Sequence, residues 1–487
     1  MRRLTNDCLM HSCFLLFPRW LQRHWAAQHR KLCLVIYMRS LVGPDGLPSW
    51  FLSSMAHLLS APISYLFKKS LLESYIPPQW KESKITPIPK TPNPNSEADF
   101  RPISITSVLC KILETIVVHK CYYPILTDPD KNYIYSDQFA FRPSGSTSAA
   151  LIALTHHLLE SVKCEPYVRL VSLDFSKAFD TVRHNSLALQ LASMPIPDFV
   201  YNWVLALLQN RVHCTKFGGI ISSYKRINAS IIQGSGLGPV NFLSLISRLK
   251  LLYTENRIFK YADDCCLVIP ASNIDTTDAE LEHIAEWARN CNLRLNHSKS
   301  CEIIIRRPRS KTSDSPPPIA GIERVEVVKV LGVLLSDRLG FSMHIDNIVC
   351  KAKQSFYALR VLMAHGLTGN RLHDVVRSTT VSRMLYSSPA WWGFANEGER
   401  GRLRAIIRKL IRQGFLPSNT PTFDMLCSKA DETLFAALLN DSGHVLHHLL
   451  PPERVTGYSL RPRYHNLEIP RCDLLTGKGF ITRMLYR

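Results

Sequence analysis

Ile258-Phe259-Lys260-Tyr261-Ala262-Asp263-Asp264-Cys265-Cys266-Leu267-Val268-Ile269 sets two adjacent carboxylates inside an apolar stretch. Lone charges avoid such surroundings, because burying one unpaired is very costly. Both flanks are rich in β-branched and aromatic residues, which predicts two strands joined by a tight Ala-Asp-Asp turn. A hairpin tip with two carboxylates suits a hard divalent cation such as Mg²⁺. Taken alone, the pair reads more readily as a solvated acidic turn.

A second acidic position changes that balance. Tyr167-Val168-Arg169-Leu170-Val171-Ser172-Leu173 is strand-like and ends at Asp174; a helix-compatible segment then runs through Leu191. α/β and α+β enzymes tend to put reactive groups at the carboxyl end of a central strand. If this strand lies beside the hairpin, Asp174, Asp263 and Asp264 converge. Three carboxylates can hold two metal ions about 3.5–4 Å apart. Such a pair suits in-line phosphoryl transfer to a nucleic-acid 3′-hydroxyl. One ion lowers the hydroxyl pKa and the other stabilises the pyrophosphate.

The chain resembles the reverse transcriptases of non-LTR (LINE-type, jockey-like) retrotransposons, in consistent order from about Leu41 to at least Ile411. Lys84-Ile85-Thr86-Pro87-Ile88-Pro89-Lys90 with Phe100-Arg101-Pro102-Ile103-Ser104 is similar to the family's fingers. Ser136-Asp137-Gln138-Phe139-Ala140-Phe141-Arg142 resembles its "QFGFR" segment, with Ala140 in place of Gly. Leu173 to Asp180 is similar to the first catalytic motif, and Gln233-Gly234-Ser235-Gly236-Leu237-Gly238-Pro239 to the "PQGSxLGP" segment. Tyr261 to Asp264 matches the metal-binding box. Leu295-Asn296-His297-Ser298-Lys299 and Leu331-Gly332-Val333 resemble the two motifs after it.

The resemblance implies an α+β right-hand polymerase with fingers, an antiparallel palm sheet with packing helices, and a helical thumb. It implies an RNA-directed DNA polymerase that extends a DNA primer with dNTPs on an RNA template, using two Mg²⁺ ions, with Mn²⁺ as a substitute. Asp174, Asp263 and Asp264 become the metal ligands. Lys299 matches a general acid for pyrophosphate, with surface lysine the plain alternative. Lys90 and Arg101 would clasp the triphosphate. Phe179 would exclude a 2′-hydroxyl, or simply be core. Gln233 and Gly234 would approach the nascent base pair, glycine allowing this because it lacks a side chain. Leu331-Gly332-Val333, lying between Val327 and Leu335, reads as a strand, used by the family to grip the primer.

The expected organisation is an unassigned leader over 1–40 and a helical N-terminal extension over 41–79. The reverse transcriptase domain follows over 80–335, with fingers at 80–166 and palm at 167–335. A helical thumb or connection takes 336–430 and a C-terminal tail region 431–487. Within the palm, Leu281, Ile284, Ala285 and Ala288 predict a packing helix over 279–290, and 306–318 predicts an exposed loop. Ile345 to Met363 and Leu403 to Ile411 follow helical spacing. The second stretch carries Arg400, Arg402, Arg404, Arg408, Lys409 and Arg412, which suits either duplex phosphates or a solvated face.

Composition points the same way. A formal charge of +20 on 487 residues implies a polyanionic partner. No uninterrupted apolar run reaches the roughly 20 residues a membrane span needs; the stretch over 103–118 is broken by Lys111 and Glu114. Fourteen scattered cysteines without a Cys-x-x-Cys pair exclude a zinc ribbon and a disulfide scaffold. They read as reduced thiols of an intracellular protein, nuclear or cytoplasmic. Ile232, Arg248 and Cys265 depart from the family pattern. The other reading left open is a catalytically decayed product that binds RNA or DNA without polymerising.

Overall fold

The computed structural model describes residues 42–126, 137–176, 178–308, 315–454 and 465–487. The expected leader over 1–40 lies outside the described residues, as do Ser136 and Lys177 of the quoted motifs. The chain divides into two compact units. One comprises residues 1–134, 177–249 and 287–294, and the other residues 135–176, 250–286 and 295–487.

The second unit is built on a five-stranded sheet. Its strands are β1 (Val168–Leu173), β2 (Arg257–Tyr261), β3 (Asp264–Pro270), β4 (Cys301–Ile305) and β5 (Glu323–Arg324), in the order β5-β4-β1-β3-β2. β1 is central and runs antiparallel to both β3 and β4. Its apolar run Val-Arg-Leu-Val-Ser-Leu is buried almost throughout, as a strand covered on both faces requires. The one cation in it, Arg169, meets Glu302 of β4 at 3.1 Å, and Arg324 reaches the same carboxylate at 2.9 Å.

β2 and β3 form the expected hairpin, but the turn is one residue shorter than Ala-Asp-Asp. Asp264 already pairs with Tyr261, leaving only Ala262 and Asp263 between the strands. Ala262 takes φ 56°. Two-residue hairpin loops favour such positive φ because their twist then matches that of the strands.

A larger correction falls on Val327 to Leu335. It is a hairpin, not one strand: β6 (Val327–Val330) pairs antiparallel with β7 (Val333–Ser336). Leu331 and Gly332 form its tip with φ 46° and 86°. Positive φ at both central positions reverses the chain, and alternation of apolar residues continues across the turn, so sequence pattern alone does not reveal it.

Helices bury the sheet. α1 (Thr147–Cys164) is buried at every residue from Ala149 to Thr155. α2 (Ser342–Ala364), α3 (Glu397–Arg412), α4 (Phe423–Asn440) and α5 (Phe480–Leu485) extend the same core through Phe356, Leu403, Phe435 and Phe480. The periodicity of Ile345 to Met363 and of Leu403 to Ile411 thus corresponds to real helices. Asn396 caps α3, accepting the Glu399 N–H at 2.9 Å while Glu399 accepts that of Asn396 at 2.8 Å.

The first unit holds a separate sheet. Glu82–Pro89 runs between Phe100–Ile105, antiparallel, and Arg211–Phe217, parallel; Lys225–Ile227 pairs with the last. The same unit holds helices Ala56–Glu73, Val108–Val117, Asp198–Leu208 and Gly238–Ile246, and the first and third of these pack on each other. Trp203, fully buried, donates its indole N–H to Ser70 Oγ at 3.0 Å. The helix expected over 279–290 spans Thr277–Asn290, with Ile284 and Ala288 buried. Among the described residues no helix is long and apolar enough to cross a membrane.

Candidate active site

In the second unit, Leu173 pairs with Cys265 as the last rung between β1 and β3. Asp174 and Asp264 each lie one residue beyond that rung, on facing strand ends, and opposed residues of antiparallel strands share a face. Asp264 is open to solvent at the strand end, and desolvation on its protein side, together with the negative charge of Asp174, pushes its carboxyl above the ordinary carboxylate range. Asp263 sits in the turn beside it, half-buried.

Among the described residues no three Cys, His, Asp or Glu side chains converge to hold a metal on their own. What the site offers is a pair of mutually repelling carboxylates with Asp263 adjacent. This fits a hard cation, because Mg²⁺ is usually bound through one or two carboxylates and completes its shell with water and substrate phosphates.

The segment that carries Asp174 is stitched to the one that carries Lys299. Asn296 N–H donates to the Asp174 carbonyl at 2.8 Å, and the Asp174 N–H donates to Ser300 Oγ at 3.2 Å. Ser300 Oγ in turn donates to the Asn296 carbonyl at 2.8 Å. Lys299 is exposed on this turn. A cavity of about 220 Å³ opens beside the carboxylates, lined by Tyr261, Asp264, Ser172, Lys329, Leu331 and Gly332. The Tyr386 hydroxyl donates to the Leu331 carbonyl at 2.9 Å and so holds the β6–β7 tip at its rim.

Behind the hairpin lies a polar support that sequence reasoning did not assign. Lys260, fully buried, places its ammonium 2.8 Å from the Asp137 carboxylate. Gln138, also fully buried, accepts at Oε1 from the Phe139, Ala140 and Ala262 N–H groups at 2.9, 2.9 and 3.2 Å. The signal was present: a lysine in an apolar strand needs a partner, though its location could not be read. Cys265 and Cys266 are buried thiols, the second pushed up to about 12. Both stay neutral and pack as small apolar groups, so Cys265, although a departure from the family pattern, sits in the hairpin without an added charge.

The first unit gathers other expected residues. A cavity of about 840 Å³ is lined by Lys90, Asp180, Gln233, His213, Arg226 and Phe217. Gln233 Nε2 donates to Asp180 Oδ1 at 2.9 Å, so the last carboxylate of the Asp174–Asp180 motif orients the glutamine of the glycine-rich loop. The Lys90 ammonium donates to the Ala98 carbonyl at 2.8 Å, within its own hairpin. Arg101 is exposed across from Ile88. Phe179 stacks on Phe242 with ring centroids 4.4 Å apart.

Glycine is required at 234 because a Cβ there would lie 2.4 Å from the Ser104 carbonyl oxygen, and φ is +120°. Glu114, noted in the sequence only as an interruption, anchors the same loop. Its Oε2 accepts the Ser235 hydroxyl at 2.8 Å and the Gly236 N–H at 2.5 Å.

The cations of α3 are largely engaged within the protein. Arg400 lies over the Trp392 ring at 4.6 Å and Lys409 over Phe356 at 4.9 Å. Arg402 pairs with Asp346, and Arg404 with Glu397 and Asp424. Of the six, Arg408 and Arg412 are exposed with no partner among the described residues.

Residues 88–335 match the family model described as reverse transcriptase (RNA-dependent DNA polymerase). The RNA-directed DNA polymerase from mobile element jockey of Drosophila melanogaster is 29% identical over 369 residues, covering 72% of this chain and 39% of that protein. The retrovirus-related Pol polyprotein from type-1 retrotransposable element R1 of Bradysia coprophila is 26% identical over 373 residues, covering 73% and 36%. The chain thus spans about two fifths of the length of the curated relatives it matches. An apo telomerase from Candida Tropicalis aligns with a TM-score of 0.41 at 15% identity, over 74% of this chain and 64% of that one, a likeness too slight to bear on function. The motif resemblance to non-LTR retrotransposon enzymes and the α+β right-hand polymerase class agree with these matches. On a match covering half of its length, from the first sheet of one unit to the β6–β7 hairpin of the other, the chain belongs to the reverse transcriptase family.

Proposed function

We propose that the chain is the RNA-directed DNA polymerase of a non-LTR retrotransposon. The observation that carries this reading is the pairing of Asp174 and Asp264 on facing ends of β1 and β3, inside a reverse transcriptase domain. Desolvation and the negative charge of Asp174 raise the cost of ionising Asp264, and a divalent cation removes that cost. Asp174, Asp264 and the adjacent Asp263 would hold Mg²⁺, with Mn²⁺ as substitute. The bound ions supply activation of the primer hydroxyl and charge stabilisation on the leaving pyrophosphate.

The chain's own residues supply the rest. Lys299, exposed on the turn tied to the Asp174 backbone, would give a proton to pyrophosphate. Arg101, exposed, and Lys90, after release from the Ala98 carbonyl, bear cationic charge for a triphosphate. Phe179, its ring stacked on Phe242, would favour a sugar without a 2′-hydroxyl. Gln233, oriented by Asp180, would approach the base pair being formed. RNA template, DNA primer and dNTPs are the partners, and the excess of 59 Lys and Arg over 39 Asp and Glu supports a polyanion.

Primer extension on an RNA template with Mg²⁺ and with Mn²⁺ tests the proposal. Incorporation should be lost in Asp264→Asn and Asp263→Asn and kept in Asp374→Asn, an exposed residue of the helical region. Binding of template–primer without extension in either metal would overturn it in favour of a non-catalytic binding protein.

A further inference from the structure

We propose that Gln138 is the positioning residue of the catalytic hairpin, fixing the carboxylates of Asp263 and Asp264 through the backbone of Ala262. This rests on the polymerase reading above.

Gln138 sits 124 residues before Ala262, in a segment that runs alongside β2. Lys260 N–H donates to the Asp137 carbonyl at 2.6 Å, and Phe139 N–H donates to the Lys260 carbonyl at 2.9 Å. These two bonds put Gln138 opposite Lys260 as an isolated parallel bridge. Its side chain then extends past the end of the strand to the turn. There Oε1 accepts the N–H of Ala262 at 3.2 Å while also accepting those of Phe139 and Ala140. Three converging donors fix which end of the amide faces them, since Nε2 in that place would oppose N–H to N–H. Nε2 itself is buried with no acceptor among the described residues. The side chain therefore serves as an acceptor alone.

Ala262 is the residue that needs holding. It is non-glycine with φ 56°, a conformation that costs energy and persists only where its surroundings enforce it. It directly precedes both carboxylates. A rotation at Ala262 would swing Asp263 and the first residue of β3 together. The acceptor on Ala262 N–H thus acts on ligand placement without touching substrate, as outer hydrogen-bond partners do at metal sites.

The test compares Gln138→Met, which keeps volume but removes the acceptor, with Gln138→Glu, which restores acceptor oxygens. Three readouts are taken: primer extension with dNTP KM, the Mg²⁺ concentration at half-maximal rate, and amide exchange of residues 258–266. Gln138→Met should lower kcat on the order of 10–100-fold and raise the half-maximal Mg²⁺, with dNTP KM unchanged. Exchange at Ala262 and Asp263 should speed up in this variant alone, and Gln138→Glu should recover most of both losses. If Gln138→Met does not fold, Gln138→Asn, one methylene short of the Ala262 N–H, takes its place with the same expectations. Unchanged exchange at Ala262, or a fall in rate carried wholly by dNTP KM, would overturn the inference. Absence of extension in the unmodified protein would instead sink the polymerase reading, while exchange would still decide the role of Gln138.

Discussion

Lys260→Met should be one of the most destabilising single changes in the second unit, and Asp137→Asn should rescue it. The ammonium of Lys260 is fully buried and lies 2.8 Å from a carboxylate whose side chain is 16% exposed. At an effective dielectric near 20, that separation corresponds to a gross attraction of about 6 kcal/mol. Desolvation offsets much of it, and burial already holds the Lys260 pKa below its ordinary value. The net worth of the pair is therefore small, whereas breaking it is costly. Without Lys260, Asp137 keeps one oxygen with no partner among the described residues and faces only Lys250 at 3.8 Å. The expected loss is about 3–5 kcal/mol. Asp137→Asn should cost less, because a stranded ammonium can shed its proton. The double variant should return to within about 1 kcal/mol of the unmodified protein, giving a coupling of at least about 2–4 kcal/mol. The backbone bonds between the two segments are untouched in every variant. A chain of two compact units need not unfold in one step, so urea denaturation is best followed through amide exchange of residues 257–270, at low and high salt. Additive losses, or a coupling that vanishes at high salt as an exposed pair's would, would refute the reasoning.

Asp264→Asn should abolish extension yet raise the melting temperature of the metal-free protein by about 1–2 °C, a figure discounted for the open side of the carboxylate. The sign follows from its raised pKa: the folded state holds the proton longer, so stability falls as pH rises from the unfolded value through the folded one. A lower melting point than the unmodified protein in chelator would contradict it. Gly234→Ala should cost about 1–3 kcal/mol of stability in the first unit and reduce extension, because of the Ser104 carbonyl. Gly218→Ala, at φ +57° but in open space, should cost about 1 kcal/mol and leave activity intact; comparable losses in urea denaturation would show that the carbonyl is not the cause. Replacing both Arg408 and Arg412 with Gln should reduce the slope of log affinity against log salt by about 2. Arg404→Gln should weaken folding instead, since its guanidinium meets Asp424 at 2.7 Å and Glu397 at 2.5 Å.

The readable parts of this chain were those whose signal is local. Strand β1, the β2–β3 hairpin and the helices α2 and α3 follow from runs and periods within a single segment, and so they emerged close to their true limits. Asp174 and Asp264 met because a central strand ending in a carboxylate has few neighbours to choose from. The unreadable parts depend on partners distant in the chain. Gln138 and Ala262 are 124 residues apart and Glu114 and Gly236 are 122 apart, so neither contact leaves a spacing to detect. The β6–β7 turn was missed for a different reason: Leu331 adopts positive φ without being glycine, against the usual preference. On α3 the charge was legible, but not its use. Tertiary neighbours such as Trp392, Asp346 and Asp424 take up cations that the sequence alone offers to phosphates.

What the support beneath the hairpin leaves undone is as informative as what it does. Lys260 is the cation nearest the carboxylates along the strand, yet its charge is matched by Asp137 rather than by Asp264. The influences that push Asp264 up are burial and Asp174; no positive group is among them. Gln138, the other buried polar group there, contributes an acceptor and no charge to the turn. The fold thus neutralises its own buried charge behind the turn and leaves the repulsion between the two carboxylates in front unrelieved. A protein selected only for stability would have a cation or an amide at one of these positions, and Asn at 264 would supply it. Retaining the repulsion makes sense where a ligand with positive charge completes the site, because the energy withheld from folding is returned on binding. Protons and metal ions then compete for the same oxygens, so acidification should stabilise the empty site while weakening its hold on Mg²⁺.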